Sequence, residues 1–209
     1  MDIVYNSVDF EEYNSQLQSK VIRKELGIKE NEIIFLYLAR IAKCNGALEL
    51  IKIADSLKTY AYHFILIGLK PRPDDSYSKV VIAEAKKNPN VHLMTFRNDV
   101  PALIADADVL VAPFTQPHFA RSIIEASAIG KPIIGSNVGG VNELVVKDQT
   151  GFLYDSELEL YNYCIRLGED KQLRSNMGNL ALEFARRNFN NEVNAQLIFK
   201  LYERLLTEK

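Results

Sequence analysis

Short apolar runs recur along this chain and alternate with longer segments of helical spacing. The runs cover about 3–6, 32–38, 62–68, 91–96, 108–113 and 132–135. A strand that is apolar throughout needs cover on both faces, and strands separated by helices are joined by crossovers. The chain is therefore expected to be α/β, a three-layer sandwich with a central parallel sheet of about six strands. Ligands in such sheets bind beyond the carboxyl ends of the strands. Arg40, Gly68, Arg97 and the loop 115–122 all follow expected strands, so they converge on one edge.

Helices are expected at about 12–26, closed by Gly27, and from the loop at 40–46 to about 57. Others fall at 76–87, 101–105 and 120–129, then at a short segment with Glu143 near its start, and finally at 156–167, 170–188 and 190–207. Gly130 followed by Lys131-Pro132 stops the helix at 120–129, because Gly caps it left-handed and Pro cannot continue it. The 47% hydrophobic content supports the core that this layout needs. A net charge of −2 offers no basic footprint for nucleic acid. Cys44 and Cys164 are too few for a disulfide framework, and nothing near them is spaced like a metal site. The opening residues are acidic and polar, unlike a signal peptide. No apolar run approaches the roughly 18–20 residues that cross a bilayer, and the cytoplasm is the default compartment.

Glu125 stands out in the helix at 120–129, which has little other polarity. A carboxylate there costs free energy unless something binds it. One reading is an ion pair with Arg121, four residues earlier, which contributes a few tenths of a kcal/mol. The other is a ligand acceptor at the sheet edge. The segment 39–46, Ala-Arg-Ile-Ala-Lys-Cys-Asn-Gly, joins a strand to a helix. A basic loop at a helix N-terminus suits an anion such as phosphate, or it is a solvated crossover with two exposed cations. Asp106-Ala107-Asp108 spells the Asp-x-Asp of metal-dependent glycosyltransferases of another fold, but it precedes a strand and lies away from the ligand edge. Its aspartates are read as loop residues.

Residues 111–154 resemble the donor-site signature of family 4 retaining glycosyltransferases, which have two Rossmann-like domains in the GT-B architecture. The family pattern is Glu-Gly-Phe-Gly, a second Glu seven residues after the first, Gly-Lys-Pro, a strand, and Gly-Gly-x-x-Glu. Phe119, Glu125, Ala126, Gly130, Lys131, Pro132, Gly139, Gly140, Glu143, Gly151 and Phe152 fall in those places. Arg40 and Gly46 match a second pattern, Gly-Arg followed by Lys-Gly, with Ala39 in the Gly place and Asn45 in the Lys place. Asn6, Val8 and Asp9 match the Asn-Gly-Val-Asp that links the two halves.

The resemblance implies a donor-binding domain for a nucleotide-diphosphate sugar, with no cofactor and no metal. Residues 1–10 would be a linker remnant, 11–190 the donor domain, and 191–209 a helix returning to an absent N-terminal acceptor half. Any peripheral membrane association would run through that half. The helix's apolar residues Leu197, Ile198, Leu201 and Leu205 would then be exposed; packing within this domain is the alternative. Glu125 would accept hydrogen bonds from the ribose. Arg40, with Lys43 or Arg121, would neutralise the diphosphate, and the N–H groups of Phe119, Ala120, Arg121 and Ser122 would cradle phosphate or sugar. Gly46, Gly68 and Arg97 would complete the edge, Arg97 in the loop beside the base.

Two departures bear on activity. The first acid of the pair falls at Pro117, and Asn45 replaces Lys. No catalytic set is complete in this chain; Glu125 and His118 are the candidates, and His118 is otherwise a surface loop residue. Three functions stay open: a glycosyltransferase donor domain; a non-catalytic sugar-nucleotide-binding or scaffold module; or another enzyme on this architecture, such as a sugar-nucleotide epimerase, or an unrelated nucleotide-binding protein. A dinucleotide oxidoreductase is disfavoured, because no Gly-x-Gly-x-x-Gly follows the first strand.

Overall fold

The computed structural model describes residues 4–70 and 75–207. Six strands form one parallel sheet: β1 (Ile33–Leu38), β2 (Tyr62–Leu69), β3 (Val91–Thr95), β4 (Val109–Ala112), β5 (Ile133–Ser136) and β6 (Gly151–Tyr154). Their order is β3-β2-β1-β4-β5-β6, so the winding reverses between β1 and β4. The helices are α1 (Val21–Leu26), α2 (Ala47–Ser56), α3 (Ser76–Ala85), α4 (Val100–Asp106), α5 (Arg121–Ile129), α6 (Val141–Leu144), α7 (Glu157–Glu169), α8 (Lys171–Asn188) and α9 (Asn191–Thr207). This is the expected three-layer α/β sandwich, Rossmann-like in its sheet.

The period-two geometry of a strand divides the core into two layers. In β1, Ile34 and Leu36 pack with Leu103, Ile104, Ile123 and Ile124 of α4 and α5. Ile33, Phe35 and Tyr37 face the other way and pack with Leu50, Ile51 and Val81 of α2 and α3. Both faces are dry, which is why the run reads as continuously apolar.

Three expectations are corrected. Residues 4–7 form no strand, and residue 3 lies outside the described residues; Val8 makes only an isolated bridge to Asn190. The sixth strand is β6, which begins at a glycine because a Cβ on Gly151 would lie 2.1 Å from the Ile133 carbonyl oxygen. The helix expected at 12–26 is confined to α1. Upstream, the side chains of Asp9, Asn14 and Ser19 accept from the N–H of Glu11, Gln16 and Val21. Such local bonds compete with a helix and turn the chain.

α9 does not pack its apolar face within this domain. Leu197, Ile198, Phe199, Tyr202, Leu205 and Leu206 are exposed, Leu201 is half-buried, and Asn194 is the helix's buried residue. No helix among the described residues is long and apolar enough to cross a membrane.

Candidate functional site

A cleft of about 670 Å³ opens at the carboxyl ends of the strands, over the point where the winding reverses. Its walls are Leu38 at the end of β1 with Ala39 and Arg40 after it, Ile67 and Gly68 at the end of β2, and Phe96, Arg97 and Val100 after β3. The far wall is Phe114 and the segment 118–122 with Glu125, and Asn6 and Asn45 complete the lining. A crevice at this switch point is where open α/β sheets bind ligands.

Two glycines make the floor possible. Gly68 has φ +135°, and a Cβ there would lie 2.1 Å from the Ala39 carbonyl oxygen, so the exits of β1 and β2 pass closely. A Cβ on Gly46 would lie 1.6 Å from the Pro113 carbonyl oxygen. Gly46 thus lets the loop after β4 close onto the start of α2, where Thr115 N–H donates to Cys44 at 3.0 Å. Gly46 itself does not line the cleft.

The cations divide. Arg40 is exposed at the cleft and has no carboxylate partner among the described residues. Its carbonyl is fixed by the Tyr37 hydroxyl at 3.0 Å and Asn45 Nδ2 at 2.8 Å. Asn45, at the expected Lys place, is buried and holds its own loop. Lys43 sits exposed on a single 3-10 turn, Lys43–Asn45, outside the cleft lining. Arg97 lines the cleft, but its guanidinium is taken by Asp99, at 2.9 and 2.6 Å, and by Glu25. Those bonds hold Arg97 more firmly protonated and pull the Asp99 carboxyl below its ordinary value. Arg97 is therefore a structural cation here, a role fixed by Asp99, two residues on, together with the distant Glu25.

The residue at the N-cap of α5 is Ala120, which supplies no capping side chain. The N–H groups of Phe119, Ala120, Arg121 and Ser122 find no acceptor among the described residues, and these residues line the cleft. Unsatisfied N–H groups and the helix dipole together favour an anion. The preceding turn is set by His118 N–H, which donates to Gly139 at 2.8 Å, and its ring stacks on Phe114 at 4.3 Å between centroids.

Glu125 lies one turn into α5, its side chain only 14% exposed. Arg121 approaches it at 3.6 Å from a largely exposed position, a long and weak ion pair. Burial raises the Glu125 carboxyl above its ordinary value, opposed by Arg121 and by Tyr13. The Tyr13 hydroxyl is pushed up to about 12 by burial and by the Glu125 charge. Tyr13 and the aromatic wall residue Phe96 were not singled out in the sequence. Phe96 carried a signal, an aromatic closing a strand; Tyr13 carried none, because its partner is far along the chain.

Asp106 and Asp108 lie at the amino ends of the strands. Asp106 is paired with Arg23 at 3.2 Å and Asp108 at 2.7 Å. Asp108 also accepts from Ile34 N–H at 2.9 Å. The motif is a buried anchor for α1.

The chain was compared with known proteins. The family model described as glycosyl transferases group 1 matches residues 18–184. N-acetyl-alpha-D-glucosaminyl L-malate synthase of Bacillus anthracis is 26% identical over 196 residues, covering 90% of this chain and 50% of the relative. The N,N'-diacetylbacillosaminyl-diphospho-undecaprenol alpha-1,3-N-acetylgalactosaminyltransferase of Campylobacter jejuni is 28% identical, covering 93% and 50%. Anabaena HepE, solved in complex with UDP and glucose, superposes with a TM-score of 0.87 at 27% identity, covering 97% of this chain and 57% of HepE. The C-terminal domain of a group 1 glycosyl transferase from Francisella tularensis shares the fold, with a TM-score of 0.76 at 21% identity, and this chain covers 99% of it. The chain spans about half the length of the curated relatives it matches. Matched by the family model through most of its length and by GT-B glycosyltransferases in its fold, the chain belongs to the glycosyl transferases group 1 family, as a half-size, C-terminal-like domain.

Proposed function

We propose that this chain is the donor-binding half of a retaining glycosyltransferase and that its cleft holds a nucleotide-diphosphate sugar. The observation that carries the reading is the convergence of three groups in one cleft: the cation of Arg40, which pairs with no carboxylate among the described residues, the open N-terminus of α5, and the half-buried carboxylate of Glu125. The similarity to HepE, whose structures contain UDP, glucose and UDP-glucose, supports it.

On this reading Glu125 accepts hydrogen bonds from the ribose, and Phe96 and the segment 97–100 border the base. Arg40, helped by Arg121, and the N–H groups of 119–122 face the diphosphate. In transfer, the bond between the anomeric carbon and the diphosphate oxygen breaks and the nucleoside diphosphate leaves. The protein's chief task is to stabilise the charge that develops on that oxygen. Transfer to a polysaccharide, glycolipid or glycoconjugate acceptor belongs with the N-terminal half, as does any peripheral contact with a membrane. Residues 1–10 then serve as linker and α9 as the returning helix, in a cytoplasmic protein.

One observation favours a second reading, a non-catalytic module with a degenerate donor site. The Lys place holds Asn45, whose amide is committed to the Arg40 carbonyl, and the first acid place holds Pro117. Donor binding without turnover, once an acceptor domain is joined to the chain, is the outcome that selects it.

The donor reading is tested by calorimetric titration of wild type and Arg40→Ala with UDP and with uridine. A charged hydrogen bond to phosphate contributes about 1.5–3 kcal/mol. The substitution should therefore weaken UDP by roughly tenfold or more and leave uridine unchanged. Equal losses for both ligands remove Arg40 from the phosphate site. The isolated chain should bind donor without transferring sugar, and robust transfer by it refutes the half-enzyme assignment.

A further inference from the structure

We propose that Tyr5 is a positioning residue for the anion-binding edge of the cleft, an inference that rests on the donor reading above. Tyr5 belongs to no helix or strand, yet it is held on several sides. Its ring lies parallel to that of Phe119, 3° between planes and 5.6 Å between centroids. Its other side meets Phe189 edge-on at 5.9 Å. Its hydroxyl donates to Glu143 at 3.4 Å, and its carbonyl accepts from Asn194 Nδ2 at 3.0 Å. Asn194 is the buried residue of α9. Just beyond, Val8 N–H donates to Phe189 at 2.8 Å, and Asn191 N–H donates to Val8 at 3.3 Å. The junction of α8 and α9 thus fixes a strap that has no secondary structure of its own.

Phe119 is what the strap fixes in turn. It lines the cleft and begins the row of unsatisfied N–H groups that runs to Ser122. No side chain of α5 caps that row, so its direction is set from outside the helix. The turn at Gly139-Gly140 provides one grip, on His118: a Cβ on Gly140 would lie 2.5 Å from the His118 carbonyl oxygen. The Tyr5 ring provides the second, on Phe119. Donors already held in place bind an anion without a cost of ordering. Removing the ring therefore leaves the anion to order its own site. The two ends of the chain, joined through Tyr5 and Asn194, set the geometry of a loop in its middle.

Calorimetry with UDP and uridine on wild type, Tyr5→Ala and Tyr5→Phe tests this, together with hydrogen exchange of the His118 and Ile123 amides, which are bonded to Gly139 and Ala120. Tyr5→Ala should weaken UDP by roughly fivefold to tenfold, the scale of one aromatic pair, while uridine is unchanged. Exchange of the bonded His118 and Ile123 amides should accelerate. Tyr5→Phe keeps the ring and gives up only the bond to Glu143, so it should bind UDP as wild type does. A Tyr5→Ala variant that binds UDP like wild type, or that loses UDP and uridine in equal proportion, overturns the proposal. So does a Tyr5→Phe variant as weak as Tyr5→Ala. If Tyr5→Ala does not fold, Asn194→Ala frees the strap at its carbonyl: selective loss of UDP supports the role, and equal loss overturns it. If wild type itself binds no UDP, the donor reading fails, and unchanged exchange of the His118 and Ile123 amides in Tyr5→Ala then separately removes the strap's hold on the loop.

Discussion

The Nδ2 of Asn45 donates to the carbonyl oxygen of Arg40 at 2.8 Å, across the loop that joins β1 to α2. Asn45 is buried, and the Arg40 carbonyl receives a second donor from Tyr37 at 3.0 Å. Asn45→Ala removes one of these two bonds without orphaning the carbonyl, so the cost should be near the ordinary value of about 1 kcal/mol. Urea denaturation reads that loss. A loss above about 3 kcal/mol would mean that Asn45 holds more than this loop.

Glu125→Gln separates the two roles of that carboxylate. A carboxylate offers only acceptors and two vicinal hydroxyls offer two donors, whereas an amide turns one acceptor into a donor. If Glu125 holds the ribose, the variant should bind UDP roughly tenfold more weakly and lose its preference for UDP over 2′-deoxy-UDP. Titration with both nucleotides measures the ratio. An unchanged ratio, with slightly lower thermal stability, leaves Glu125 to its protein partners Arg121 and Tyr13.

Arg23 is the structural counterpart of Arg40. Its guanidinium bridges Asp106 and Asp108 and donates to the carbonyls of Lys29 and Glu32 at 2.7 and 2.9 Å. The side chain of Asp106 is 1% exposed. Arg23→Met strands that charge in the core and should cost about 3–5 kcal/mol. UDP affinity should stay as in wild type wherever the variant is folded, because the anchor lies at the amino ends of the strands. A milder loss in Arg23→Met than in Asp106→Asn would reverse the argument.

Stability should fall on mild acidification through the pair His63 and His92. Their nitrogens lie 3.1 Å apart, and burial lowers both from the ordinary value of 6.5. Above that value both rings are neutral in folded and unfolded chains, and they add no pH dependence. As pH falls below it, the unfolded chain takes up protons that the folded chain resists, so stability declines toward the lowered folded values. Glu125, raised by burial, acts in the opposite sense, so the comparison must be internal. Urea midpoints between about pH 7.5 and 5.5 should fall for wild type and much less for His63→Gln/His92→Gln. Equal slopes in the two proteins would exclude the pair.

Sheet strands were legible because a strand buried on both faces is apolar along its length, as β1 is at every position. β6 was not, since it is four residues long and opens at Gly151, whose use is the approach to Ile133. The overlong helix at 12–26 shows the limit of periodicity: three short polar side chains outweighed it locally. The ligand edge was legible for a topological reason, since loops that follow parallel strands share one side of the sheet. Arg40, Gly68, His118 and Glu125 reach the cleft on that account alone.

The chain's own pattern of apolar runs and stops determined the fold class, the edge on which a ligand must sit, and the placing of a carboxylate on α5. Which cations face that ligand was decided only by the tertiary structure. A charge's role depends on partners brought near by folding: Glu25 of α1 joins the neighbouring Asp99 on Arg97, a 3-10 turn carries Lys43 outward, and no carboxylate among the described residues meets Arg40. The same holds for Tyr5, since its stack on Phe119 and its bond from Asn194 join segments that no local spacing relates.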